Sequence, residues 1–383
     1  MNKTLPKLLR RTTFVLGLMG ALLQAEDSFA QKKKKKGAET PAAAAPATPA
    51  RPQAPANGPK PYKEVITAKA KSKAGLFKVH QIEDKYFYEI PDSLLGRDML
   101  MVVRIAKTAD GIGYGGENTT NLMVRWEKNQ DDILLKVVSV NNYAADSLPI
   151  SMAVKASNLE PILQKFAIKS RGTDSTGTVI EATDLFTKDN QALGIQRNRR
   201  TEYRITRLDN ERSFIQHIHT YPINIEARYV LTYAAGEPPS NSVTGLITLE
   251  MNASMILLPK EPMKQRLADQ RVGWFARSYV DYGADEQRAT SRRYLDRWRL
   301  EVKPGDEEKF KRGELVEPKQ PIVYYIDPAT PAKWVPYLKQ GVEDWQKGFE
   351  AAGFKNAIIA KEAPSPEEDP TWSPEDARYS VIR

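Results

Sequence analysis

The stretch "TNLMVRWEKNQDDILLKVVSV", Thr120–Val140, contains two apolar, β-rich runs on either side of a polar turn at Asn129–Asp132. Two such runs joined by a short polar segment predict an antiparallel hairpin. A second stretch, "GLFKVHQIEDKYFYEI" at Gly75–Ile90, has the same form around Glu83–Asp84.

Further β-rich runs continue this pattern to about residue 315. They predict a mostly antiparallel β region in two units, divided near Asp110. Alternating charged and apolar residues over Arg293–Val302 predict a half-exposed strand. The other runs are "DMLMVVRIA", "SFIQHIHTY", "IEARYVLTYAA", "SVTGLITLEMNASMILLP" and "VGWFARSYVDYG".

The pattern changes in "PIVYYIDPATPAKWVPYLKQGVEDWQKGFEAAGF", Pro321–Phe354. A strand, "PIVYYI", precedes a helix that begins near Lys333 and ends at Gly353, a good C-terminal cap. Two more strands follow, "FKNAIIA" and "ARYSVIR". The helix has one apolar stripe, with residues at spacings of three and four. The stripe consists of Val335, Leu338, Val342, Trp345, Phe349 and Ala352.

Two glycines inside this helix, Gly341 and Gly348, each cost roughly 1 kcal/mol of helix stability, so we expect them to pack closely against a sheet. The charged, proline-bounded stretch Lys303–Pro321 predicts a linker before this unit. The predicted fold class is α+β. Two mostly antiparallel β domains at 62–110 and 111–315 precede a strand-helix-strand-strand unit at 319–383.

The first 61 residues predict a targeting segment and a tether. Basic residues precede the 11-residue apolar core "TFVLGLMGALL", and small residues stand at the end of "SFA". This pattern predicts a signal peptide over 1–30 with cleavage after Ala30, and secretion to the periplasm, the cell envelope or the medium. Residues 31–61 are Pro/Ala-rich and predict a disordered tether. Its Lys32–Lys36 run suggests weak contact with an acidic envelope surface, or else a solvated tail.

Charge and cysteine content exclude several classes of function. Of the formal net charge of +9, the first 60 residues carry all but one unit. The rest of the chain is nearly neutral and lacks the basic footprint of a nucleic-acid-binding protein. The chain contains no cysteine, which excludes disulfides, thiolate metal sites, a cysteine nucleophile and a lipid-modified cysteine anchor.

The three histidines are His80, His217 and His219. His217 and His219 are two residues apart in a predicted strand, so their side chains lie on one face, where they could share a metal ion. No third ligand is evident near them in sequence, and ordinary strand positions are the expected alternative. We therefore assign no catalytic, cofactor-binding or metal-binding residue from the sequence.

Three other stretches have both a functional and a structural interpretation. "GIGYGG", 111–116, fits the dinucleotide-binding pattern, but a predicted strand follows it where a helix is required, which favours a loop. The aromatic run Tyr86–Tyr88 offers either a sugar-stacking face or core packing. The acidic run Glu367–Asp369 suggests either a calcium ligand set or a solvated loop.

The stretch Pro321–Phe354, followed by "DARYSVIR", resembles the start of a metzincin-type zinc protease catalytic domain. More closely, the chain resembles the large secreted bacterial zinc-dependent metalloproteases that carry two uncharacterised N-terminal domains. The likeness covers roughly residues 60–383. It includes "YKEVITAKAKSKAGLFKVHQIEDKYFYEIPDSLLGRDMLMVVRIAK" and "QRVGWFARSYVDYG". The resemblance implies that 319–383 is the incomplete start of a catalytic domain.

In that family, the histidines of H-E-x-x-H-x-x-G-x-x-H hold zinc, and the glutamate acts as a base on the metal-bound water. No histidine follows His219, so the motif is absent and none of its roles can be assigned. We therefore expect an N-terminal fragment of a secreted zinc metallopeptidase, inactive alone and without bound zinc. Zinc and a protein or peptide substrate belong to the full-length protein.

The β domains would serve that protein as a prodomain, a scaffold or a substrate-recruiting module. Asp269 is one candidate for blocking the zinc ion, and a structural aspartate in a loop is the alternative. A non-catalytic, envelope-associated binding module for glycan or protein is the rival interpretation of the whole chain.

Overall fold

The computed structural model describes residues 58–383. The predicted signal peptide, the Lys32–Lys36 run and most of the predicted tether lie outside the described residues. None of the helices over 58–383 has the length and apolar character that a membrane span requires.

The described residues are rich in β-structure and contain few helices, in agreement with a β-dominated α+β class. The strands are β1 (Lys71–Lys73), β2 (Lys78–Ile82), β3 (Lys85–Pro91), β4 (Asp98–Thr108), β5 (Asn118–Asn129), β6 (Asp132–Val137), β7 (Asn142–Tyr143), β8 (Ile162–Arg171), β9 (Gly177–Glu181), β10 (Ile205–Leu208), β11 (Phe214–Thr220), β12 (Asn224–Ala235), β13 (Leu246–Leu257), β14 (Ala276–Asp281), β15 (Thr290–Leu295), β16 (Ile322–Ile326), β17 (Ile358–Glu362) and β18 (Ser380–Ile382). The α-helices are α1 (Tyr62–Val65), α2 (Ile150–Ser157), α3 (Thr183–Thr187), α4 (Arg197–Glu202), α5 (Glu307–Lys311), α6 (Val335–Glu343) and α7 (Gln346–Ala351).

Twelve strands form one antiparallel sheet, in the order β1-β2-β3-β9-β8-β6-β5-β4-β13-β12-β10, with β11 also paired to β12. Both predicted hairpins are confirmed. β2 and β3 are joined at Glu83–Asp84, and β5 and β6 at Gln130–Asp131. The sheet curls so that the chain before β2 meets the end of β11, where Leu76 N donates to Tyr221 O at 2.7 Å.

The curled sheet encloses one hydrophobic core. Trp126 of β5 is fully buried at its centre, with its ring 6.1 Å from that of Phe77 and 5.4 Å from that of Phe166. The run Tyr86–Tyr88 is also buried, so its aromatic rings serve core packing and offer no sugar-stacking face. Strands from both sides of Asp110 contribute to this sheet and to this core.

β14 forms a smaller sheet with β15 and β7. β15 ends at Leu295, so the predicted strand to Val302 is too long. Beyond it, Leu300 and Val302 turn towards the C-terminal part of the chain and pack around Val316 and Phe354. The predicted linker Lys303–Pro321 therefore holds α5 and contributes to a hydrophobic cluster.

The C-terminal unit contains the predicted strand, helical crossover and two strands. β16 lies between β17 and β18, and both pairings are parallel. The single helix predicted from Lys333 is instead α6 and α7, with a turn between them at Asp344 and Trp345. Trp345 is 67% exposed, so the apolar stripe is only partly buried.

The expectation that Gly341 and Gly348 pack against a sheet is wrong, because a Cβ atom at either position would meet open space. Gly353 is different. Its φ is +93°, and a Cβ atom there would lie 2.5 Å from a ring carbon of Phe310 on α5. Gly353 thus ends α7 and allows α5 to pack closely against it.

We expect Gly353→Ala to lower the free energy of unfolding by about 2 kcal/mol, because alanine disfavours this φ and its methyl group displaces Phe310. Gly341→Ala is the matched control, and it should raise stability by about 0.5–1 kcal/mol. Urea unfolding followed by tryptophan fluorescence measures both. Equal effects of the two substitutions would contradict the assignment of Gly353 as a packed cap.

Candidate functional site

The outward surface of β11, β12 and β13 carries a group of polar side chains, which we call the polar face. Side chains alternate along a strand, so every second residue of each strand faces the core and the residues between them face outward. β11 and β12 are antiparallel, with His217 opposite Arg228 and His219 opposite Glu226. The polar face consists of His217, His219, Asn224, Glu226, Arg228, Glu250, Asn252 and Ser254.

The C-terminal segment, Ser373–Ala377, lies on the polar face. Asn224 donates from Nδ2 to the Glu375 carbonyl at 2.9 Å and accepts from the Ala377 amide at 3.0 Å. The Tyr221 hydroxyl bonds to Ser373 Oγ at 2.9 Å. These bonds join residues about 150 positions apart in sequence.

Glu375 is the residue that this segment brings to the two histidines. One donor atom from each of His217, His219 and Glu375 lies within 4.8 Å of the other two. The two imidazole rings are stacked, with centroids 4.4 Å apart. All three side chains are partly open to solvent. The arrangement can act as an ion-pair cluster, or it can hold a divalent cation.

The charge of Glu375 is stabilised by its neighbours. The His219 imidazole lies 3.8 Å from Oε2, and the Arg228 guanidinium donates to Oε1 at 2.9 Å. Together they lower the pKa of Glu375 to about 2, despite partial burial. Burial, with the nearby His219, lowers the pKa of His217. Glu375 is therefore ionised near neutral pH.

A buried carboxylate, Glu226, lies beside this cluster. Its side chain is only 3% exposed. It accepts hydrogen bonds from Ser254 Oγ at 2.6 Å, Asn252 Nδ2 at 2.8 Å and Asn224 Nδ2 at 2.7 Å. Burial raises the pKa of Glu226 even so. Asn224 thus links the buried carboxylate to the C-terminal segment.

A second polar cluster surrounds His80, which is 1% exposed. Ser72 Oγ lies 2.7 Å from His80 Nδ1, and Glu89 Oε2 lies 3.0 Å from His80 Nε2. Glu89 also accepts from the Tyr62 hydroxyl at 3.0 Å. These hydrogen bonds link α1, β1, β2 and β3, so we interpret the cluster as a structural element that stabilises the edge of the sheet.

For three other sites singled out in the sequence, the structure favours a structural role. "GIGYGG" is a loop between β4 and β5, and a strand follows it as predicted. Asp269 lies in a loop, where its carboxylate accepts from the backbone and side chain of Arg271. The run Glu367–Asp369 is an exposed turn in which Asp369 bonds to Thr371.

The sequence predicted the shared face of His217 and His219, and their stacked rings confirm it. It missed Glu375, because that residue follows 156 positions after His219 in a proline-rich loop with no periodic pattern. The position of Glu375 depends on tertiary contacts with Asn224 and Arg228. No local sequence pattern predicts such contacts.

Two family models match the chain. Residues 59–108 match a domain of unknown function (DUF5118), and residues 116–303 match a second domain of unknown function (DUF5117). No curated protein and no solved structure matches the chain. The two matches fit the expected pair of uncharacterised N-terminal domains, and their boundary falls in the loop between β4 and β5.

We expect Glu375→Gln to lower the free energy of unfolding at pH 7 by about 1–2 kcal/mol, after allowance for solvent screening. Because the folded pKa lies near 2 against an ordinary 4.5, this contribution is fully present above about pH 4.5 and is lost towards pH 2. Urea unfolding across this range measures the difference. Glu343→Gln, on the exposed surface of α6, is the matched control. A pH-independent difference would contradict the ion-pair account.

We expect His80→Leu to lower the free energy of unfolding by about 2–4 kcal/mol, because it leaves Glu89 buried with fewer partners. Ser72→Ala removes only the exposed partner of His80 and should cost less than about 1 kcal/mol. Thermal and urea unfolding measure both. A larger loss for Ser72→Ala would point to a role beyond fastening the sheet edge.

Proposed function

We propose that this chain is the non-catalytic N-terminal part of a secreted zinc-dependent metallopeptidase, with the predicted signal peptide directing its export. The main observation in its support is the order of the domains along the chain. Two domains of unknown function, at 59–108 and 116–303, precede a parallel strand-helix-strand unit. The sequence of that unit resembles the start of a metzincin-type catalytic domain.

The topology of the C-terminal unit supports this proposal. In metzincin-type enzymes a strand and a helix open the catalytic domain, as the resemblance implies. Here α6 and α7 connect β16 to β17, and all three strands are parallel. The zinc ligands and the catalytic glutamate would come from an H-E-x-x-H helix, which these 383 residues lack.

In this proposal the large antiparallel sheet positions the peptidase domain. The C-terminal segment contacts the polar face through Asn224, Arg228 and Tyr221. Such contacts fix a prodomain, scaffold or recruiting module against the domain it serves.

We expect the purified chain to cleave neither casein nor fluorogenic peptides, with or without added zinc, because it lacks the family's catalytic glutamate and zinc ligands. Sequencing the coding DNA and transcript beyond the codon for Arg383 is the companion measurement, and we expect the frame to continue into an H-E-x-x-H motif. Chelator-sensitive cleavage by this chain, or an immediate stop codon in the native gene, would refute the proposal.

A further inference from the structure

Two histidines of the polar face and Glu375 of the segment that covers it are groups of the kind that bind transition-metal ions. His217 and His219 offer imidazole nitrogens from a single strand, and a strand is a rigid support for paired ligands. Glu375 offers a carboxylate oxygen from the C-terminal segment. Two imidazoles and one carboxylate, with a further position left for solvent, form a ligand set that zinc accepts.

We propose that His217, His219 and Glu375 form a binding site for one divalent transition-metal ion, with zinc as the best match to their chemistry. The site is separate from any catalytic zinc of the proposed peptidase and does not depend on that proposal. The sequence showed two of these ligands, and the fold supplies the third.

The distances are compatible with this site. With metal–nitrogen and metal–oxygen bonds of about 2.0–2.1 Å, tetrahedral donor atoms lie about 3.3 Å apart. His219 Nδ1 and Glu375 Oε2 are 3.8 Å apart, and all three donors lie within 4.8 Å. Side-chain rotations that move these atoms by about 1 Å would complete the geometry. Partial exposure of the three residues leaves room for a solvent ligand.

The carboxylate is already oriented for this role. Arg228 donates to Glu375 Oε1 at 2.9 Å, while Oε2 faces His219. A second carboxylate, Glu250, accepts from Arg228 at 3.2 Å and offsets its charge. Hydrogen bonds of this kind hold metal-ligating carboxylates in place. The nearby guanidinium also repels a cation, so this site should bind metal less tightly than one without it.

A bound ion would join two distant parts of the chain. His217 and His219 belong to β11, while Glu375 belongs to the loop between β17 and β18. The metal would therefore fasten the C-terminal unit to the large sheet, in addition to the hydrogen bonds of Asn224. Ligand binding of this kind stabilises the folded state in proportion to the logarithm of the metal concentration.

The test is a titration of the purified protein, produced without a histidine tag, with Co²⁺ and with Zn²⁺. We expect one equivalent to bind, with a visible Co²⁺ absorption band that Zn²⁺ abolishes and a rise in Tm with added Zn²⁺. His219→Ala and His217→Ala should each weaken binding at least tenfold, and the double variant should abolish the band. His80→Gln, which changes the one remaining histidine, should leave the affinity unchanged.

Circular dichroism of each variant without metal verifies folding. X-ray absorption at the zinc edge of the wild-type protein keeps the test independent of the variants, and we expect two imidazole ligands per zinc. Wild-type protein that takes up no metal, or a double variant that binds as tightly as wild type, overturns the proposal. Casein cleavage is scored separately, so metal binding without cleavage supports both this inference and the proposed function.

Discussion

The pairing of β12 with β13 is the constraint on which the rest of the structure depends. The two strands remain in register from Asn224 opposite Ile256 to Ala234 opposite Leu246. Because side chains alternate along both strands, this register sends Tyr229 and Met251 to the core and Glu226 and Asn252 outward. A slip of one residue would exchange the two faces and bury the charged groups in the core. The same register therefore specifies the hydrophobic core and the polar face.

The polar face differs from an ordinary solvated sheet surface. Glu226 is buried there, and Asn224 divides its hydrogen bonds between Glu226 and the C-terminal segment. Arg228 likewise bridges Glu250 and Glu375. Asn224 and Arg228 thus have partners in both the sheet and the segment above it. Because Asn224 and Arg228 bond on both sides, the C-terminal segment can cover this charged surface without leaving isolated charges, which would be costly to bury.

Local patterns predicted the parts of the fold that local patterns control. The two hairpins, the face shared by His217 and His219, and the order of strand, helix and strands in the C-terminal unit all follow from local patterns. The closure of the sheet and the position of Glu375 depend on contacts between distant residues, so the sequence did not predict them.

The wrong expectation that Gly341 packs against a sheet has another origin. A glycine in a helix has no packing requirement of its own, and only the tertiary structure shows the open space beside it.

The long separation between Asn224 and the C-terminal segment has a consequence for how the molecule opens. Their hydrogen bonds span 151 and 153 residues, so closing this contact carries an entropic cost that neighbouring hairpin strands do not bear. The core around Trp126 contains no residue of the segment. The core can therefore remain folded when the segment separates from the sheet. Residues 373–377 belong to no strand and are held to the sheet by a few side-chain hydrogen bonds, so we expect them to open locally more readily than β12 and β13. Their amide hydrogens should exchange with solvent through partial opening, long before those of β12 and β13.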